Sequence, residues 1–214
     1  MERIERRSGD ILFYPGDSLS HIYFPVTAVV SLMLDLQDGS SVEFGMVGPE
    51  GLVGFFLFLK TQITYGSAVV QYPGVLYRVS ADVALSQFEQ SPSFRRALMN
   101  YMQFLVVEAA QNSSCYRHHS IEQQLCRSLL SYMDSQGSAQ LSLTHEALAR
   151  TLGVRREGIT LAARRLQELG FIQYARGHIE ILSALGLQSH SCECYHALKE
   201  MRTRIFRRVS EPFA

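Results

Sequence analysis

No cysteine precedes Cys115, and His21 is the sole histidine among residues 1–117. Those two absences remove most metal chemistry from the first half of the chain. An iron–sulfur centre near the N-terminus would need clustered thiolates. A cupin-type enzyme would need several histidines and a carboxylate on neighbouring strands. A haem would have only His21, His118 and His119 to draw on. Long apolar runs are missing too: Leu52–Leu59, the longest, contains Gly54 and is far too short to cross a bilayer. The segment Met1–Asp10 is charged throughout, so no secretory signal is expected. Cys115, Cys126, Cys192 and Cys194 are therefore expected to be reduced thiols in a cytoplasm.

Net charge is also absent, with 20 basic and 20 acidic residues. Its distribution is uneven. Residues 1–92 hold five basic against ten acidic side chains, so the remainder carries the compensating positive excess. A chain with 47% apolar and 19% charged residues folds into a globule, here with an acidic part that repels polyanions and a basic part suited to meet them.

Residues 9–79 read as short strands, His21–Phe24, Val29–Leu36, Ser41–Val47 and Ala68–Tyr72 among them, separated by Pro15-Gly16-Asp17, Asp38-Gly39-Ser40, Gly48-Pro49-Glu50-Gly51 and Pro73-Gly74. That spacing predicts a β-sandwich or jelly-roll barrel over 1–92, with a hairpin turn at Asp38-Gly39. Between Ser93 and His118 proline and glycine vanish, which predicts one long helix over 93–118. Leu98, Met102, Leu105, Ala109, Asn112 and Tyr116 recur at steps of four and three, the spacing of a heptad seam, with Asn112 placed to fix register between two paired helices. The same stripe would serve a helix packed on its own barrel; the dimer seam is the favoured reading. A further helix is expected from Ser120 to Met133, opened by a Ser120–Gln123 capping box.

Residues 119–182 carry the function. Thr144 caps a short helix, His145–Leu152, that ends at Gly153; a second helix follows Val154 and closes at Gly170. Ala149 supplies the small residue that two crossing helices need, and Leu148, Leu152, Val154, Ile159, Ala162, Leu166 and Leu169 fall where both bury apolar groups. This is a helix-turn-helix. Phe171–Ile181 then alternates as two strands about an Arg176-Gly177 turn, which makes a wing. Arg155, Arg156, Glu157, Thr160, Leu161 and Arg164 face outward on the second helix, whose first turn enters the DNA major groove in such motifs. Arg156 is assigned to guanine and Glu157 to cytosine N4. Arg155, Arg164, Arg165 and Arg176 are assigned to phosphates. Gly158, inside the helix, has no evident helical reason.

Residues 183–214 are expected to form a helical extension, continuous over Leu187–Arg208 and ending basic. His190-Ser191-Cys192-Glu193-Cys194-Tyr195-His196 has the content of a metal cluster. On a helix, however, residues two apart point about 200° away from each other, so a packing helix without metal is expected.

Barrel, long helix and winged motif in that order resemble the cyclic-AMP receptor and fumarate–nitrate regulator (Crp/Fnr) family of bacterial transcription factors. Thr144-His145-Glu146, Gly153-Val154, Arg155-Arg156-Glu157 and Gly177 resemble its DNA-binding signature, and Gly16-Asp17, Tyr23-Phe24, Gly48–Gly51 and Ser67-Ala68 more loosely resemble its barrel. The resemblance implies an α+β protein that is a homodimer, binds an inverted-repeat operator on double-stranded DNA and touches RNA polymerase, with no membrane partner and no enzymatic activity. It places Arg156 and Glu157 at the base-contacting pair and Leu161 where many members carry another base-contacting arginine. It also places an effector pocket at Glu50, Gly51, Gly66, Ser67 and Ala68, with Glu50 at the ribose. The arginine that neutralises a cyclic phosphate is Gly66 here, so cyclic AMP is not expected and no cofactor is assigned. A constitutive DNA-binding protein whose barrel only scaffolds the dimer is the alternative.

Overall fold

The computed structural model describes residues 1–59 and 63–210, with side chains through Phe206. Lys60, the one cation that sequence offers near a phosphate in the barrel, lies outside the described residues. The chain begins with β1 (Glu2–Arg6), β2 (Ile11–Phe13), β3 (His21–Pro25), β4 (Val29–Asp35) and β5 (Ser41–Val47). A 3-10 turn at Phe55–Phe58 precedes β6 (Ser67–Tyr72) and β7 (Gly74–Ser80). Two antiparallel sheets, ordered β1-β7-β3 and β2-β6-β4-β5, enclose Phe13, Ile22, Val30, Leu32, Val47, Val53, Ala68, Val70 and Leu76. The Asp38-Gly39 hairpin closes as expected. Asp38 Oδ1 accepts from the Ser40 amide at 2.9 Å, and Gly39 sits at φ 83°, where only glycine is unstrained.

Two strands escape sequence patterning. The first, Glu-Arg-Ile-Glu-Arg, is an edge strand whose charges point outward. It is held by backbone pairing to β7, with Glu2 opposite Arg78 and ion-paired to it. The second is β7 itself, whose Leu76 is buried between its neighbours.

Helix α1 (Ala81–Gln90) leads into α2 (Pro92–His118), which starts where sequence places it: Ser91 Oγ accepts from the Phe94 amide, and Pro92 fills the first turn, where its missing N–H costs nothing. The 27-residue helix lies along the barrel, and its heptad is spent there. Leu98 and Leu105 are 1% and 4% exposed in the barrel core, with Met102 packed against it. Asn112 accepts from Arg127, and Tyr116 donates to the Glu43 carbonyl at 3.0 Å. The assignment of Leu98, Met102, Leu105, Asn112 and Tyr116 to a dimer seam is corrected accordingly: they hold the helix to its own barrel and the following domain. Ala109, half-buried, lines a cleft with Leu34, Leu36 and Tyr116. The stripe that faces solvent is rotated by one residue, to Met99, Gln103, Val106, Ala110, Ser113 and Arg117.

Then come α3 (Ile121–Gln136), opened by the Ser120–Gln123 capping box, β8 (Gln140–Leu141), α4 (His145–Leu152), α5 (Arg156–Glu168), β9 (Ile172–Ala175) and β10 (His178–Ile181). The sheet β8-β10-β9 and α3–α5 share a core that includes Leu125, Leu129, Leu148, Leu152, Ile159, Leu166, Ile172 and Ile179. Val29 and Met46 of the barrel join that core, so barrel and C-terminal domain are packed against each other. The expected single helix over Leu187–Arg208 is two: α6 (Ala184–His190) and α7 (Cys194–Ser210). Ser191 is extended at φ −73° and ψ 161°, its hydroxyl donates to the Gln188 carbonyl, and the break lets Cys192 turn inward. Helix α7 returns along α2. No helix among the described residues is long and apolar enough to cross a membrane.

Candidate nucleic-acid interface

The helix-turn-helix is built by local bonds. Thr144 Oγ1 accepts from the Ala147 amide at 3.0 Å and starts α4. Gly153, at φ 64°, ends it, and the Val154 amide donates back to Ala149 O at 3.0 Å. With Leu148, Leu152, Ile159, Ala162 and Leu166 buried, one face of α5 is fixed inward and the opposite face must be solvent. Gly158 belongs to the inward side. A Cβ there would stand 2.9 Å from the tip of the Ile121 side chain, Cδ1, at the start of α3.

Arg155, Arg156, Glu157, Thr160, Leu161, Arg164 and Arg165 are all exposed. Arg155 is the N-cap of α5, and Arg156 and Glu157 form its first turn. None of these three makes a side-chain hydrogen bond or ion pair among the described residues. Thr160 is partly engaged: its hydroxyl donates to the Arg156 carbonyl and lies 3.1 Å from His145 Nδ1. Arg164 and Arg165 both reach Glu168, at 3.1 and 3.8 Å. Exposed pairs of this kind are worth under about 1 kcal/mol and exchange readily for a phosphate.

The wing is fastened to this face. The Tyr174 ring of β9 stacks on His145 of α4 with centroids 4.0 Å apart. Burial, and then the charge of Arg156, lower the His145 pKa, so its imidazole is neutral at pH 7. At the wing tip Arg176 takes φ 46° beside Gly177 at φ 85°, the paired positive angles of a two-residue hairpin turn, and it projects into solvent.

The five residues of the expected effector pocket sit in different surroundings. Glu50 lines a cavity of about 620 Å³ between barrel, α2, α3 and α7, and its carboxylate pairs with Arg202 of α7 at 2.9 Å. Gly51 abuts Tyr101, and Ala68 is fully buried in the barrel. Gly66 is pressed against the chain: a Cβ there would be 2.2 Å from Met33 O. Ser67 donates to the Asp35 carboxylate at 2.7 Å. Sequence resemblance marked a missing cation at 66; the structure adds an anion near 67 and an arginine already bound to Glu50.

Below the barrel, Glu43 and Glu108 are buried where barrel, α2 and α3 meet. Ser31 donates to Glu43, and the Met46 amide donates to Glu108 at 3.3 Å. Burial pushes Glu43 up to about 7 and Glu108 up to about 8, against the opposing pull of Arg127 and Arg202. Sequence reading missed both, because an isolated glutamate in a strand or helix carries no mark of its surroundings.

Fold and site together define a transcription regulator with a winged helix-turn-helix. Residues 3–91 match the cyclic nucleotide-binding domain, and residues 123–189 match the Crp-like helix-turn-helix domain. The chain belongs to the Crp/Fnr family of transcriptional regulators. It is 23% identical over 198 residues to the transcriptional regulator SdrP of Thermus thermophilus, covering 87% of this chain and 93% of that one. It is 20% identical over 196 residues to a global nitrogen regulator of Synechococcus elongatus, covering 87% of each. A Crp/Fnr-family regulator of known crystal structure from Thermus thermophilus shares the fold with a TM-score of 0.72 at 21% identity, over 89% of this chain and 98% of that chain.

Proposed function

We propose that this regulator acts as a cytoplasmic homodimer on an inverted-repeat operator, reading bases with Arg156 and Glu157 and holding phosphates with Arg155, Arg164, Arg165 and Arg176, with Thr160 alongside. The observation that carries the reading is the unengaged first turn of α5 on a helix whose other face is fully buried. A bidentate arginine–guanine contact is worth about 1–3 kcal/mol of discrimination. Arg156→Ala is therefore expected to weaken operator binding roughly 5–150-fold and random DNA much less. Arg165→Ala is expected to weaken both alike and to flatten the salt dependence. Equal losses on both DNAs for Arg156→Ala would reassign it to the backbone. RNA polymerase is the expected second partner, by family.

The dimer seam is the solvent-facing stripe Met99, Gln103, Val106, Ala110, Ser113 and Arg117 of α2. Its spacing alternates four and three, as a paired helix requires. Exposed Leu34 and Leu36 of the β4–β5 hairpin line a cleft with Ala109, Ser113 and Arg117, which extends the apolar surface beyond the helix.

The effector is not a cyclic mononucleotide. Among the described residues a phosphate near 66–68 would face Asp35 with no arginine beside it, and Glu50, which the resemblance places at the ribose, is engaged by Arg202. Losing water without a charge-assisted partner costs several kcal/mol. Calorimetry with cyclic AMP and cyclic GMP is expected to show no saturable heat at tens of micromolar (about 6–7 kcal/mol of binding); micromolar binding would overturn this.

A further inference from the structure

We infer that Cys115, His119, Cys192 and Cys194 form a Cys₃His site for one zinc ion, a clamp that fastens α7 to the end of α2. One donor atom from each residue lies within 4.8 Å of all the others. Cys115 lies in the last turn of α2 and His119 is its C-cap, whose amide donates to the Cys115 carbonyl at 3.0 Å, so the two side chains leave the same end of the helix. Cys192 lies in the break between α6 and α7, and Cys194 opens α7, so the two are not held on one helix face and both turn inward. A tetrahedral zinc with Zn–S near 2.3 Å and Zn–N near 2.05 Å sets its ligand atoms roughly 3.5–3.8 Å apart. The Cys115 and Cys192 sulfurs are 3.5 Å apart, and Cys194 Sγ lies 3.6 Å from His119 Nδ1.

The surroundings match a metal site as well. His119 Nε2 lies 3.3 Å from the Glu193 carboxylate, so the outer nitrogen carries the proton and Nδ1 keeps its lone pair for the ion. Gln111 Nε2 donates to Cys194 Sγ at 2.9 Å, the kind of bond that steadies a thiolate. Arg127 is buried, and its charge couples to Cys115 and Cys192. Its Nε–H has no acceptor among the described residues. Zinc binding releases three thiol protons to water, so three thiolates, a neutral imidazole and Zn²⁺ leave one net negative charge for Arg127 to balance. Soft thiolates favour zinc over calcium or magnesium. The tight ring of donors suits one ion, whereas the ligand sulfurs of an iron–sulfur cluster spread around several irons.

The clamp joins segments more than seventy residues apart in sequence. It seats the helix whose Arg202 occupies Glu50 and whose Tyr195, Leu198 and Phe206 wall the 620 Å³ cavity. Zinc would thereby hold α7 in place as one wall of that cavity.

The full chain, purified under reducing conditions without chelator, is expected to hold about one zinc by mass spectrometry of metals. Cobalt substitution is expected to give the intense bands of a tetrahedral thiolate site. Cys192→Ser and Cys194→Ser are expected to lose both signals, while Cys126→Ala, in the neighbouring core, keeps them. Glu193 is exposed, so Glu193→Gln leaves the fold intact. It is expected to weaken zinc about 10–100-fold in chelator competition. Three results would each overturn the inference. One is zinc affinity no tighter than that of Cys192→Ser/Cys194→Ser. The second is a Cys115–Cys192 disulfide in the freshly purified reduced chain. The third is stoichiometric iron with sulfide.

Discussion

Val106→Glu is expected to sediment as a monomer and to bind the operator about 10²–10⁴-fold more weakly than the parent dimer, because each chain then engages one half-site alone. Val106 is 69% exposed in the single chain, and Met99, one heptad earlier, is 49% exposed. No described residue covers them. In a paired α2 both would meet their symmetry mates, and two facing carboxylates there would be desolvated and mutually repelled. The variant monomer itself should keep its stability, since exposed substitutions are usually within about 0.5 kcal/mol. The neighbouring position behaves oppositely. Leu105 is 4% exposed inside the barrel core, so Leu105→Asp is expected to unfold the chain by several kcal/mol whatever its oligomeric state. Sedimentation and thermal melting of the two variants separate the effects. A Val106→Glu dimer of parental affinity would move the seam elsewhere.

The second large effect is on stability against pH. Burial raises Glu43 to about 7 and Glu108 to about 8, both above the ordinary value of 4.5. Between about pH 4.5 and 8 the folded chain therefore binds more protons than the unfolded one. Stability from these groups falls as pH rises through that window and levels off above it. The charges that face them are Arg127 and Arg202, with Ser31, Tyr132 and the Met46 amide as hydrogen-bond partners, and they offset only part of the burial. Replacing both by glutamine removes the titration and keeps the shape. The stability gained by Glu43→Gln/Glu108→Gln over the parent is expected to grow by on the order of 3–6 kcal/mol between about pH 5 and pH 9. Denaturant unfolding at several pH values measures it. A gain independent of pH would mean that both carboxylates titrate in the folded chain as they do in the unfolded one, which would overturn the burial argument. Since Glu43 is in the barrel, Glu108 in α2 and Arg127 in α3, the same titration acts where sensor and DNA-binding domain meet.

The helix-turn-helix was legible because its signals are local. Thr144, Gly153 and the apolar positions of α4 and α5 each act within a few residues, through a cap bond, a positive φ or a helical face. The wing was legible for the same reason, as its turn needs only Arg176-Gly177. Strands β1 and β7 were not, because what makes them strands is each other: a charged edge sequence has no pattern of its own until Glu2 lies opposite Arg78. The expected effector residues rested on resemblance alone, and resemblance could not show that Arg202, 152 positions further on, would reach Glu50.

The amino-acid sequence by itself determined the winged reader, the long proline-free helix and the 3.5-residue repeat along it. Tertiary structure decided the phase of that repeat. Leu98 and Leu105 hold α2 to the barrel, and the exposed stripe proposed as the seam lies one residue, about 100°, around the helix. It also decided that Cys115 and His119 meet Cys192 and Cys194. Period and capping are set by bonds between near neighbours. Which face turns inward, and which distant thiols converge, is set by the packing of segments that sequence order keeps far apart.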